Sequence, residues 1–335
     1  MKKNTFYLVS LGCAKNTVDS DSIATLLGRH GYTPVEIPVK AGLLIVNTCG
    51  FIEQARQESL EVMRELAGNK KPGQLLIAAG CFSELYREKL AELVPGINGI
   101  IGTRRWMDII ELVKGLRAEP GKPRYHLPDA ATIGSDEKGV LRASIQGTSA
   151  YLKIADGCRR PCAFCSIPLI KGTQVSRPLE TILAEASLLQ EYGVNELILI
   201  AQDTTDYGSD LGMKDGLVRL LEKLLPRVPE IPWVRILYAY PGYVTDGLID
   251  LMSNSRQLLP YLDMPLQHAS VKVLKAMKRP ANMDWVRATI EKMRVRIPHL
   301  ALRTTFISGY PGESDADHQL LLDFIKETGF DHLGV

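Results

Sequence analysis

Short, continuously apolar runs separated by amphipathic stretches dominate the chain, and the first hundred residues repeat one such pattern three times. Phe6–Ser10, Leu43–Asn47 and Leu75–Ala79 read as strands. The first leads through Gly12-Cys13 into a helix expected to start near Asp19-Ser20-Asp21. The second leads through Cys49-Gly50 into a helix over about Ile52–Leu66, and the third through Gly80-Cys81 into another helix. The cysteines stand 36 and 32 residues apart, close to one strand-plus-crossover-helix unit of about 30 residues. Strands apolar on both faces belong in a parallel sheet covered by helices on either side. Such a sheet gathers its strand carboxyl ends on one edge, where open α/β sheets build their sites. Cys13, Cys49 and Cys81 are therefore expected to converge, with the neighbouring glycines letting backbone approach a bulky ligand closely. One cysteine in this position would read as a small buried hydrophobe. Three in successive units favour a three-cysteine cluster site.

From Ala118 to Lys138 the texture changes to Pro, Gly, Asp and Lys with little periodicity (Glu119-Pro120-Gly121-Lys122-Pro123), which reads as a linker or crossing segment. The expected division is a first domain at residues 1–120, a linker at 121–145 and a second domain at 146–335. In the second, strands are expected at Tyr151–Ala155, Glu196–Ala201, Trp233–Leu237, Tyr261–Met264, Leu302–Ile307 and His332–Val335. Helices fill the gaps at Leu179–Tyr192, Gly216–Leu224, Thr245–Met252, Val271–Met277, Met283–Val295 and Ala316–Thr328. The whole chain is thus α/β: a parallel α/β domain, then a partial (β/α)6 barrel with its active groups at the strand carboxyl ends.

Composition adds little. The 335 residues suffice for two cored domains, and 45% hydrophobic, 23% charged and a net charge of +2 give no electrostatic case for nucleic acid. The longest apolar runs, such as Leu197–Ala201, fall far short of a membrane span. Met1-Lys2-Lys3-Asn4-Thr5 leads into a strand and not a signal-peptide core, so a reducing cytoplasm is expected.

The chemistry is concentrated in Cys158-Arg159-Arg160-Pro161-Cys162-Ala163-Phe164-Cys165, in the loop after the first barrel strand. Three cysteines at CxxxCxxC spacing can hold three irons of a 4Fe–4S cube and leave the fourth open to bind and reduce a small molecule. Structural zinc wants four closed ligands, and no histidine lies between His126 and His268 to complete a set. Three cysteines also cannot pair among themselves. Phe164 can pack on an adenine, though a core aromatic is an equal reading.

This combination resembles the radical S-adenosylmethionine (SAM) methylthiotransferases over essentially the whole chain. The resemblance implies that Cys158, Cys162 and Cys165 bind the cluster that chelates SAM, and that Cys13, Cys49 and Cys81 bind an auxiliary 4Fe–4S cluster. Six cysteines then fill six ligand positions. Ser10-Leu11-Gly12-Cys13-Ala14-Lys15-Asn16 with Val18-Asp19-Ser20 is similar to the branch that modifies a ribosomal protein (RimO-type). Asp263-Met264-Pro265-Leu266-Gln267-His268-Ala269-Ser270 and Gln202-Asp203-Thr204-Thr205-Asp206-Tyr207-Gly208 point the same way. The tRNA-modifying branch (MiaB-type) is the alternative. A non-catalytic iron–sulfur carrier, which would not consume SAM, is the rival from another class.

What the resemblance implies is methylthiolation at the β-carbon of an aspartate of small-subunit ribosomal protein S twelve, with an electron donor such as flavodoxin or ferredoxin and no role for tRNA. A SAM-derived radical takes the hydrogen atom, the auxiliary site gives sulfur, and another SAM gives the methyl group. Phe164, Arg177, Gln202, Tyr207, Ser308 and Gly309 are the expected SAM-contacting residues. Arg177 reads nearly as well as a solvated arginine, and His268 better as a satisfied structural histidine. The family continues into a C-terminal TRAM domain, so a sequence ending at Val335 is expected to be truncated.

Overall fold

The computed structural model describes residues 4–129 and 138–335. The chain forms two units, one of residues up to 144 with 156–159 and 166–175, the other of residues 145–155, 160–165 and 176–335. Numbering strands and helices separately in chain order, the first unit holds β1 (Thr5–Ser10), β2 (Thr33–Pro34), β3 (Leu43–Thr48), β4 (Leu75–Gly80), β5 (Gly99–Ile101) and β6 (Arg124–His126). They form one sheet in the order β2-β1-β3-β4-β5-β6, with every pairing parallel. Its helices are α1 (Ala14–Arg29), α2 (Glu53–Gly68), α3 (Cys81–Tyr86), α4 (Lys89–Leu93), α5 (Ile109–Ala118) and α6 (Ile167–Lys171).

All six residues of β3 are buried because alternate side chains enter separate cores. Leu43 and Ile45 pack with Ile23 and Leu27 of α1 and Val113 of α5. Leu44 and Val46 pack with Leu60, Met63 and Leu66 of α2. This two-sided cover is what the continuous apolar runs require.

Two expectations are corrected here. The first helix starts at Ala14, not near Asp19, because Cys13 serves as its N-cap with no side-chain hydrogen bond. A cap without Ser, Thr, Asp or Asn leaves no signal in the sequence. Part of the segment expected as a linker, Arg124–His126, is β6, and it extends the sheet beside β5. Three residues are too few for a periodicity to show. Residues 130–137 of that segment, and Met1–Lys3, lie outside the described residues.

The second sheet contains β7 (Ala143–Gln146), β8 (Ser149–Lys153), β11 (Glu196–Ile200), β12 (Trp233–Ile236), β13 (Leu258–Asp263), β14 (Ala301–Thr305) and β15 (His332–Gly334). A separate two-stranded ladder is made by β9 (Ala155–Asp156) and β10 (Val175–Ser176). The larger sheet runs β15-β14-β13-β12-β11-β8-β7, open at both ends, and β8 to β15 pair in parallel along it. These are the six expected barrel strands in sequence order, with β7 added at one edge. Between them run α7 (Leu179–Glu191), α8 (Gly216–Arg227), α9 (Asp246–Asn254), α10 (Val271–Ala276), α11 (Met283–Arg296) and α12 (Asp315–Thr328). In α8, Leu217, Leu220, Leu221, Leu224 and Leu225 are buried, the i, i+3, i+4 stripe of a helix laid on a sheet. Among the described residues no helix is long and apolar enough to cross a membrane.

Candidate metal centres

Strand register brings the first three cysteines together. Ser10 is level with Asn47, Asn47 with Ala79, and Thr48 with Gly80. Cys49 and Cys81 therefore leave adjacent strands at the same level, and Cys13 follows two residues after Leu11. Gly12 lies directly against Cys49: a Cβ at Gly12 would stand 2.7 Å from the Cys49 Cβ and 2.8 Å from its Sγ. Asn16, in the first turn of α1, holds the edge in place. Its Nδ2 donates to the carbonyls of Leu11 (2.9 Å) and Thr48 (3.0 Å), and its Oδ1 is 3.6 Å from the Cys81 Sγ. Asn47 donates in turn to the Asn16 carbonyl (2.9 Å) and to Ser20 Oγ (2.8 Å). Ser59 of α2 accepts from the Cys49 N–H and donates to the Cys49 carbonyl.

The three thiols differ in their surroundings. Burial pushes Cys81 up to about 12, with Cys13 and Cys49 adding to the rise and Lys171 opposing it. Burial likewise raises Cys49. Cys13 moves down: its partial desolvation is outweighed by Lys15, by the N–H groups of Asn16 and Lys15 at the start of α1, and by Lys171. A helix N-terminus beside lysines favours thiolate, the form that binds metal. Among the described residues no three His, Cys, Asp or Glu side chains are gathered closely enough for a single metal ion. One zinc would need its thiolates all about 2.3 Å from the same ion, whereas a cluster takes each sulfur on a different iron.

Beside this edge lies a fully buried square of charges. Arg142 reaches Asp19 (3.0 Å) and Asp156 (2.9 Å), and Lys171 reaches the same two carboxylates at 3.1 and 3.4 Å. Burial works most strongly against the Lys171 charge, but Asp156 and Asp19 outweigh it and its pKa rises.

The CxxxCxxC loop is held at several points. The Cys158 N–H donates to the Gly172 carbonyl (3.1 Å), the Ala163 N–H to Met277 (2.9 Å) and the Cys165 N–H to Cys162 (3.1 Å). Arg160, buried within the motif, pairs with Asp203 (2.7 Å) and Asp206 (3.4 Å) and stacks on Tyr243 and Tyr240 at 3.7 and 4.4 Å. Cys162 has two polar neighbours, Arg279 Nη1 at 3.6 Å and the Tyr240 hydroxyl at 3.9 Å. Burial pushes the Tyr240 phenol up to about 12, so its proton is retained.

Known families match both halves of the chain. Residues 152–325 match the radical SAM superfamily, and residues 5–102 match a family described only as uncharacterized protein family UPF0004. The ribosomal protein uS12 methylthiotransferase RimO of Roseiflexus sp. (strain RS-1) is 44% identical, over 98% of this chain and 73% of its own length. That of Symbiobacterium thermophilum is 46% identical, over 98% of this chain and 67% of its own. The chain belongs to the RimO family of radical SAM methylthiotransferases. The fold extends further than the family does. The methyltransferase TsrM of Kitasatospora setae, solved with cobalamin and a 4Fe–4S cluster, is 14% identical at a TM-score of 0.72, covering 99% of this chain and 71% of that one. OxsB, solved with aqua-cobalamin and SAM, gives a TM-score of 0.68 at 11% identity, over 96% and 52%.

Among the other residues expected at the site in this RimO-family chain, Gln202 follows β11 and Ser308 and Gly309 follow β14, at strand carboxyl ends. Gln202 Oε1 is buried with no hydrogen-bond partner among the described residues. Ser308 is exposed and 3.3 Å from His318, and Phe164 is half-buried in the loop. Arg177 and Tyr207 depart from expectation. Arg177 is buried, giving Nη1 to Lys153 O (2.6 Å) and both terminal nitrogens to Glu185 at 2.8 Å. Tyr207 is buried with its hydroxyl on the Arg177 carbonyl at 2.9 Å. The Arg177 terminal nitrogens and the Tyr207 hydroxyl are thus engaged by protein. His268 is fully buried between the Ser270 N–H and Glu313, the structural role expected for it. The sequence gives no role to Asn16, Asn47, Ser59, Lys171 or Tyr240, and leaves Lys278-Arg279-Pro280 open between facing substrate and lying on the surface. Only the two asparagines, lying so close to cysteines, carried any signal.

Proposed function

We propose that this chain inserts sulfur and a methyl group at the β-carbon of an aspartate of ribosomal protein uS12. The observation that carries this is the likeness to uS12 methylthiotransferases over 98% of the chain. The reading gives residues 146–335 a SAM-binding 4Fe–4S cluster on Cys158, Cys162 and Cys165. It gives residues 1–120 an auxiliary 4Fe–4S cluster on Cys13, Cys49 and Cys81, supported by the strand register that gathers them. The polar groups around Cys162 fit such a guest, because Arg279 Nε is buried with no partner among the described residues, a donor suited to an anionic sulfur. When bound, the reduced cluster and SAM supply a carbon radical strong enough to take hydrogen from an unactivated C–H bond.

The chain's own residues bind, orient and exclude water. Arg160, clamped by Asp203 and Asp206, stiffens the loop that presents the cysteines. Phe164, Gln202, Ser308 and Gly309 are proposed to contact SAM, with Arg177 and Tyr207 supporting the backbone beneath. Lys15, Lys171 and the start of α1 favour thiolate at Cys13, while at Cys81 Lys171 only opposes the burial that holds the thiol protonated. A small redox protein such as flavodoxin or ferredoxin is the proposed electron donor, in the cytoplasm, with tRNA not a substrate.

Anaerobic reconstitution with iron and sulfide, followed by incubation with SAM and a reductant, tests this. Expected are about eight irons per chain, 5′-deoxyadenosine, and a methylthio mass increment on uS12 but not on tRNA. Modified tRNA with untouched uS12 would move the chain to the other branch. Gly12→Ala is a finer probe. Its φ of +94° and the Cys49 contact leave no room for a methyl group. Iron is expected to fall to about four per chain with 5′-deoxyadenosine still formed and the methylthio product lost. Full iron loading would show that the Gly12 contact does not shape the auxiliary site.

A further inference from the structure

Two donors converge on one cysteine sulfur. Arg279 Nη1 lies 3.6 Å and the Tyr240 hydroxyl 3.9 Å from Cys162 Sγ, distances within reach for hydrogen bonds to the large sulfur atom. Their positions are built, not incidental. The Tyr240 ring is stacked between two guanidinium groups, Arg160 at 4.4 Å and Arg279 at 4.2 Å. The other terminal nitrogen of Arg279 donates to the Pro265 carbonyl. Tyr240 is 9% exposed, so its hydroxyl has little water to turn to.

The two arginines differ in one respect. Arg160 is neutralised by Asp203 and Asp206. Arg279 has no carboxylate partner among the described residues, and its Nε is buried without an acceptor. An unneutralised cation beside a sulfur, in a partly desolvated place, interacts more strongly with added negative charge than it would in water. Once Cys162 binds iron its sulfur carries no proton, and both neighbours can only donate to it. Hydrogen bonds and positive charge at a cluster's sulfurs favour the reduced form, which carries one more negative charge, and so raise the reduction potential.

We infer that Arg279 and Tyr240 are positioning residues for the SAM-binding cluster: they donate to Cys162 Sγ and set how readily the cluster accepts its electron. The inference rests on the proposed ligation by Cys158, Cys162 and Cys165. Two motifs of the branch-specific sequence thereby acquire a physical task, since Asp203 and Asp206 hold Arg160 and Pro265 holds Arg279.

The test is an electron paramagnetic resonance redox titration of the reconstituted full chain, following the reduced-cluster signal that changes when SAM is added. That response identifies the cluster without removing the other one. Tyr240→Phe, which deletes only the hydroxyl, and Arg279→Gln are each expected to shift the midpoint to lower potential, Arg279→Gln further. Arg279→Lys, which keeps the charge, is expected to recover part of the shift. With a weak reductant both deletions are expected to form 5′-deoxyadenosine about 10-fold more slowly or worse, and with a strong reductant to approach the parent rate. Unchanged midpoints in iron-loaded Tyr240→Phe and Arg279→Gln would overturn the inference while leaving the ligation intact. A parent chain that loads iron but shows no SAM-responsive signal would overturn the ligation, and the inference with it.

Discussion

Alanine in place of Cys158, Cys162 or Cys165 is expected to abolish SAM cleavage outright. Alanine in place of Cys13, Cys49 or Cys81 is expected to leave cleavage running and remove only the methylthio product. The difference follows from the roles proposed for the two sets: one must deliver an electron to SAM, the other only sulfur to a carbon already activated. A thiolate is a covalent ligand to iron, and the polar neighbours of Cys162 are poor substitutes, since Arg279 is a donor only and burial keeps the Tyr240 phenol protonated. Loss of one ligand from a three-cysteine site therefore costs the cluster itself. The measurement is 5′-deoxyadenosine by chromatography beside iron content, for each variant, with strong reductant in excess. Sustained cleavage by Cys162→Ala at full iron loading would refute the assignment of that loop. Loss of cleavage in Cys81→Ala with four irons still bound would refute the separation of roles.

The second large effect concerns stability. Asp19→Asn is expected to destabilise the chain by about 3–5 kcal/mol, the usual cost of breaking a buried ion pair by removing one partner. Asp19 is 2% exposed and shared between Arg142 and Lys171, and Asp156 mirrors it. Two cations and two anions balance, and asparagine would leave one positive charge uncompensated in a place water does not reach. The double variant Asp19→Asn/Lys171→Met restores neutrality, so its loss is expected to be smaller than the sum of the single losses. Chemical denaturation of the four proteins measures both quantities. A cost for Asp19→Asn below about 1 kcal/mol, the range of exposed pairs, would mean that water reaches the square. The pH dependence has a definite sign. Lys171 has its pKa raised by folding, so its contribution is complete below the ordinary lysine value of about 10.4 and is lost only as pH climbs past the folded value. Neutral and mildly acidic solutions leave the Lys171 contribution untouched.

Much of this arrangement was legible from local pattern. Runs such as Leu43–Asn47 announced buried parallel strands, and a parallel register then carries Cys49 and Cys81 to one level without further information. The cysteine spacing in the later loop needs no tertiary knowledge at all. What escaped reading depends on distance along the chain. Lys171 meets Asp19 across 152 positions, and Arg279 meets Cys162 across 117. Neither lysine nor arginine carries a mark telling a buried partner from a solvated one. Arg177 shows the opposite failure. Its place after the cluster loop suggested a ligand contact, but nothing in Ser176-Arg177-Pro178 reveals that Glu185, nearly two turns into α7, takes both ends of its guanidinium. Short elements were lost for a simpler reason: β5 and β6 have three residues each, and periodicity needs more.

The interleaving of the two units bears on how the protein is made. The first unit takes its last pieces from residues 156–159 and 166–175, so its six-stranded sheet is synthesised well before the unit is complete. A chain emerging from the ribosome as far as residue 144 already has Asp19 and Arg142 but lacks Asp156 and Lys171, half of the charges that balance one another. The charge square must wait for the stretch that also carries Cys158, and a gene cut at the apparent boundary would encode a fragment whose buried charges are unbalanced. Biosynthesis thus ties completion of that buried charge balance to arrival of the stretch that carries Cys158.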